Sequence, residues 1–65
     1  MSLDTTPRLA DPDALFALLV AAHQGLDAEA SRRLDARLVL LLANHIGDMD
    51  TLRQAIERAK DSAQR

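Results

Sequence analysis

The sequence predicts an all-α protein built from three helices. Leu and Ala each occur 12 times in the 65 residues, and both are among the strongest helix formers. Strand-favouring residues are scarce, because the chain has two Val, two Ile and no Tyr or Trp. Two glycines and several aspartates divide the chain into three helical stretches.

Residues 1–10 are expected to form an extended segment ahead of a three-helix domain at 11–65. The segment carries two Thr, a Pro and only scattered apolar residues. The first helix is expected at about 12–24, since Asp11 suits the N-cap and the proline after it suits the first helical position. Gly25 is suited to the left-handed conformation that commonly follows a helix.

The second and third helices follow after very short links. The second is expected at 28–46, with Asp27 as its cap and no helix breaker before the next glycine. The third is expected at about 49–63, starting from either Asp48 or Asp50. Its apolar residues fall in one arc of about 120°, which predicts an ordinary surface helix with that arc facing the core.

The first two helices carry more apolar surface than one neighbouring helix covers. From Ala14 to Gln24 the sequence has no formal charge, and the larger side chains span an arc of about 200°. The second half of the second helix is apolar over about half of its circumference. We therefore expect the surplus faces to contact another chain. The residues expected at this interface are Leu15, Phe16, Leu19, Val20, Val39, Leu42 and Ile46.

The small size of the chain points to the same conclusion. A domain of 65 residues buries a small core and is only marginally stable alone. It has no Cys for a disulfide and no paired Cys and His spacing for structural zinc. We predict a homodimer or larger self-assembly that forms a helical bundle. The alternatives are an obligate hetero-partner, or a compact monomer whose N-terminal segment covers the apolar face.

Charge and composition argue against several classes of partner. The formal net charge of −2 and the isoelectric point near 5.5 disfavour nucleic acid and anionic membranes as partners. No apolar run is long enough to span a bilayer, and the start of the chain has no leader pattern, so a cytoplasmic location is expected. Seven Arg against one Lys, with abundant Ala, suits GC-rich codons and hints at a bacterial source.

The sequence resembles a family of short bacterial proteins known only as a domain of unknown function. The residues that carry the resemblance are LVLLLANHIGD at Leu38–Asp48, LDTTP at Leu3–Pro7, and DPD at Asp11–Asp13. The resemblance covers nearly the whole chain and implies no activity, ligand or catalytic residue. The resemblance also associates the genes of such proteins with neighbouring genes for flavin-dependent oxidoreductases. This implies an alternative role as an accessory subunit of a metabolic enzyme.

The two histidines, His23 and His45, fall on apolar stripes of the first and second helices. If these helices pack antiparallel, the two rings lie at opposite ends of the pair, which disfavours a shared metal site within one chain. The leading interpretation is structural, with a ring nitrogen bonded to a backbone carbonyl near a helix end. A metal or ligand site at a dimer interface, formed by His23, His45 and neighbouring Asp residues, is the alternative.

No residue pattern indicates catalysis. Asn44 beside His45 forms a polar island next to the most apolar run. The functional interpretation is a recognition or acid/base pair at an interface, and the structural one is that Asn44 satisfies backbone carbonyls of the last helical turn. No Ser, Cys or Lys nucleophile has a base at motif spacing, and no glycine-rich loop could cradle phosphate. We expect no catalytic residue, no cofactor and no metal ligand. The expected role is protein association by a small helical protein that is not an enzyme.

Overall fold

The structure confirms the all-α class. A computed structural model describes residues 2–64, which form three α-helices and contain no strand. Helix α1 spans Pro12–His23, α2 spans Ala28–Ile46 and α3 spans Met49–Ala63. Within residues 2–64, no helix combines the length and the apolar character needed to cross a membrane.

An aspartate N-cap directly precedes each helix, and its side chain accepts a hydrogen bond from a backbone N–H of the first turn. The carboxylate accepts a hydrogen bond from the backbone N–H three residues later, over distances of 2.8 to 3.0 Å. These caps are Asp11, Asp27 and Asp48. At the third cap, Thr51 donates both its N–H and its hydroxyl to Asp48. The helix starts are therefore fixed by local hydrogen bonds.

The ends of α1 and α2 depend on the two glycines. Gln24 is extended, with ψ of 133°, so α1 ends at His23 although the helix was expected to reach about residue 24. Gly25 follows with φ of +77°, and Gly47 ends α2 with φ of +67° and an N–H bond to Ala43 O. Positive φ is strained for residues with a Cβ, so glycine permits both reversals of the chain.

Residues 2–64 do not enclose a hydrophobic core. Among the described residues no apolar side chain is buried, and the single buried residue is Thr51. The chain exposes 5870 Å², whereas a folded monomer of 7.1 kDa is expected to expose about 4,100 Å². Its radius of gyration is 13.4 Å, against about 11 Å for a compact domain of this length. The three helices therefore make little contact with one another.

The exposure of α3 corrects the expectation that its apolar arc faces a core. Leu52 and Ala55 are half-buried, but Met49 and Ile56 are about two-thirds exposed. Neither α1 nor α2, as the structure describes them, covers the rest of the arc.

Helix α2 carries an apolar stripe, here called the α2 stripe, that is likewise only partly covered. It consists of Ala30, Leu34, Leu38, Leu41 and His45. The first three residues are half-buried, and the last two, at the far end, are exposed. A helix of 12 residues is about 18 Å long, whereas the 19 residues of α2 extend about 28 Å, so α1 is too short to cover the whole stripe.

The N-terminal segment contacts α3 and leaves the apolar faces of α1 and α2 exposed. Its half-buried Leu3 donates its backbone N–H to the side-chain oxygen of Gln54 at 3.3 Å. Asp4 accepts the backbone N–H and the hydroxyl of Thr6, which closes a local turn. Leu9 is exposed. This arrangement does not support the alternative of a compact monomer in which the segment covers the apolar face.

The cap of α2 provides a test of the local hydrogen bonds. Replacing Asp27 with Ala removes the acceptor for the Ala30 N–H and should lower the free energy of unfolding by about 1 kcal/mol per chain. Asn is an equally good cap, so Asp27→Asn should change that free energy little. Urea unfolding followed by circular dichroism measures both variants, and equal losses in the two would contradict a capping role.

Candidate functional site

The most specific polar contact between two helices is formed by His23, in the last turn of α1. Its Nδ1 lies 2.6 Å from the backbone carbonyl oxygen of Leu19. Its Nε2 lies 2.7 Å from a carboxylate oxygen of Asp35 on α2. Within residues 2–64, the bond between His23 and Asp35 is the one hydrogen bond between a side chain of α1 and a side chain of α2. We call it the His23–Asp35 clasp.

Both contacts of the His23 ring can be hydrogen bonds only when the ring is protonated. A carbonyl oxygen and a carboxylate oxygen can only accept hydrogen bonds, so both ring nitrogens must donate, and only the imidazolium form does so. The Leu19 carbonyl raises the pKa of His23 most, and the Asp35 carboxylate raises it further, against a smaller lowering by burial. The imidazole is 28% exposed and the carboxylate 61% exposed, so solvent screens the ion pair in part.

A shallow, open depression lies beside the clasp. It is lined by Phe16, Leu19, Val20, His23, Gln24 and Asp35. Its surface is mainly apolar, and its polar rim consists of the paired charges and one amide. Such a surface suits an apolar side chain from another molecule. No Ser, Cys or Lys side chain lines it.

The seven residues expected at an interface, here called the association surface, are largely open to solvent. Six are exposed: Leu15, Phe16, Val20, Val39, Leu42 and Ile46. Leu19 is half-buried, and its backbone carbonyl oxygen contacts His23 Nδ1. Exposure makes these side chains available, and their contact with another chain stays a prediction.

Sequence reasoning left several exposed residues out of this surface. Leu18, Leu40 and Leu41 are each more than 60% exposed. The apolar run from residue 38 to 43 was a signal for two of them, because one helix face cannot bury consecutive residues. Asp35 was also missed as the partner of His23, since the pairing depends on how α1 crosses α2.

The remaining polar candidates are not assembled into a metal site. Asn44 and His45 are exposed, and neither side chain has a hydrogen-bond partner among residues 2–64. No group of three His, Cys, Asp or Glu side chains in that part of the chain is placed to hold a metal ion. Both nitrogens of His23 are already bonded, so metal binding there would require the loss of at least one of these contacts. A metal or ligand site shared between two chains stays an untested hypothesis.

The fold and the clasp define a small all-α protein with an open apolar surface. The family model described as "Protein of unknown function (DUF2783)" matches residues 3–61, and the chain belongs to this family. This confirms the resemblance to a domain of unknown function. No curated protein and no solved structure matches the chain. The family description assigns no activity.

The protonation state of the His23 ring is directly measurable. Because both contacts favour the charged form, the pKa of His23 should lie above its ordinary value of about 6.5. In Asp35→Asn one of these contacts loses its charge, so the pKa of His23 should fall toward the ordinary value. NMR titration of the ring Cε1 proton measures this change. An unshifted pKa of His23 in the wild-type chain would show that the clasp does not form.

Proposed function

We propose that the chain acts through protein association, as a self-assembling helical protein, and that it is not an enzyme. The proposed unit is a homodimer in which the association surface of each chain is buried against the other. The single observation that supports this most strongly is the absence of any buried apolar side chain among residues 2–64. A helical chain with no internal core needs another molecule to remove its apolar surface from water.

The amount of excess surface agrees with a dimer. The chain exposes about 1,800 Å² more than a folded monomer of its mass. Two chains that each bury this excess would form an interface of about 3,500 Å², which lies within the range of obligate homodimers, about 2,000–5,000 Å². Interfaces of this class resemble a domain core divided between two subunits.

The chemistry of the exposed surface supports a second copy as the partner. Helix α1 has no formal charge from Ala14 to Ala22, and α2 has none from Leu38 to Ala43. A two-fold dimer requires a surface that is complementary to itself. Uncharged Leu-rich faces meet this requirement, because apolar contacts are non-directional and no like charges approach each other.

The proposal includes a cytoplasmic location in a bacterium, without nucleic acid or membrane as a partner. The net charge of −2 and the Arg-rich, Ala-rich composition support it. The competing role is an accessory subunit of a metabolic enzyme, with flavin-dependent enzymes as one candidate class. It predicts that the purified chain stays monomeric until its partner is added.

Sedimentation equilibrium at micromolar concentration tests the proposal. The wild-type chain should have about twice the monomer mass of 7.1 kDa. Leu42→Glu places a charge in the association surface and should shift the population to monomer, or to unfolded chain, because a buried unpaired carboxylate is strongly unfavourable. Ala36→Glu is the matched control, since Ala36 is exposed on the same helix outside that surface.

Two results would contradict the proposal. One is a folded wild-type monomer at all concentrations tested, which would favour the hetero-partner role. The other is an equal loss of dimer in Leu42→Glu and Ala36→Glu, which would move the interface away from the association surface.

A further inference from the structure

We propose that the His23–Asp35 clasp is a proton-dependent lock that holds α1 on α2 in the arrangement needed for assembly. Loss of the ring proton would then loosen α1 and weaken the assembly. This inference rests on the proposed self-association and adds a means of regulating it.

Helix α1 is held to the rest of the chain at very few positions. Of its 12 residues, only Leu19 and His23 are sheltered from solvent, and all the others are exposed. The backbone carbonyl oxygen of Leu19 accepts the bond from His23 Nδ1, so the two sheltered residues are linked to each other. The two sheltered residues thus form one attachment point, and its polar link to α2 is Asp35.

The clasp also lies beside the residues proposed to bind the second chain. Phe16, Leu19 and Val20 line the depression next to His23 and belong to the association surface. A change in the position of α1 relative to α2 would therefore alter the shape of the surface that the second chain meets. The paired charges of the clasp cancel, so the locked form adds no net charge to an apolar interface.

Among the described residues, Asp35 is the charged side chain that raises the pKa of the His23 ring. On the ring's own helix, no residue from Ala14 to Ala22 carries a formal charge. From α2, Asp35 faces the ring directly. In this part of the chain, neither α3 nor the N-terminal segment places a charged group against His23. The clasp is thus governed by one proton on one ring.

The direction of the pH effect follows from the two acceptors. When the ring is neutral, it loses its charge attraction to Asp35 in either tautomer. One nitrogen also presents a lone pair to an oxygen acceptor, so one of the two hydrogen bonds is lost as well. Because the pKa of His23 is raised in the folded chain, the clasp contributes fully below about pH 6.5. Its contribution is lost as the pH rises through the raised pKa of His23. Assembly should therefore weaken from mildly acidic to mildly alkaline solution.

The test compares dissociation constants at about pH 6 and about pH 8.5, measured by sedimentation equilibrium on the full chain. The wild-type dissociation constant should rise severalfold at the higher pH. The His23→Gln variant lacks the titrating group but keeps a hydrogen-bond donor. Its dissociation constant should be the same at the two pH values. The control is His45→Gln, which should follow the wild type because His45 has no part in the clasp.

Asp35→Asn provides a second variant in case His23→Gln does not fold. It keeps an acceptor oxygen but removes the charge, and it should also reduce the pH dependence. A dimer whose pH dependence persists unchanged in both variants would overturn the lock and leave self-association intact. A wild-type chain that is monomeric at both pH values would overturn both.

Discussion

The apolar surface of α1 and α2 exceeds the area that the other elements of the chain can cover, and this excess governs the other features of the molecule. Helix α1 is shorter than α2, and α3 does not cover the far end of the α2 stripe. The result is an open arrangement with no buried apolar side chain in residues 2–64. Since apolar burial is the main favourable term in folding, we propose that the missing burial comes from another molecule.

The helices themselves are specified by local interactions that do not require a core. Aspartate caps satisfy free N–H groups at the three helix starts, and Gly25 and Gly47 permit the reversals of the chain. Isolated helices of these lengths are nevertheless marginal in water, because helix nucleation is unfavourable. Local structure therefore determines where the helices lie in the sequence, and association would supply the stabilisation that keeps them folded.

The sequence was sufficient to predict the all-α class, because helix propensity, caps and glycine ends act over a few residues. It also identified exposed positions such as Phe16 and Leu42, because the apolar residues span more of the helix circumference than one neighbouring helix can cover. It did not identify Asp35, since no local rule states which α2 residue meets His23. The exposure of Ile56 was missed for the same reason: an apolar arc shows that a face needs cover but not which element supplies it.

We propose that folding of this chain depends on association. The most direct test is the thermal midpoint measured by circular dichroism over about a hundredfold range of chain concentration. For a folded dimer in equilibrium with unfolded chains, mass action predicts that the midpoint rises steadily with concentration. A cooperative transition with the same midpoint at every concentration would show that the monomer is stable alone and would contradict the account.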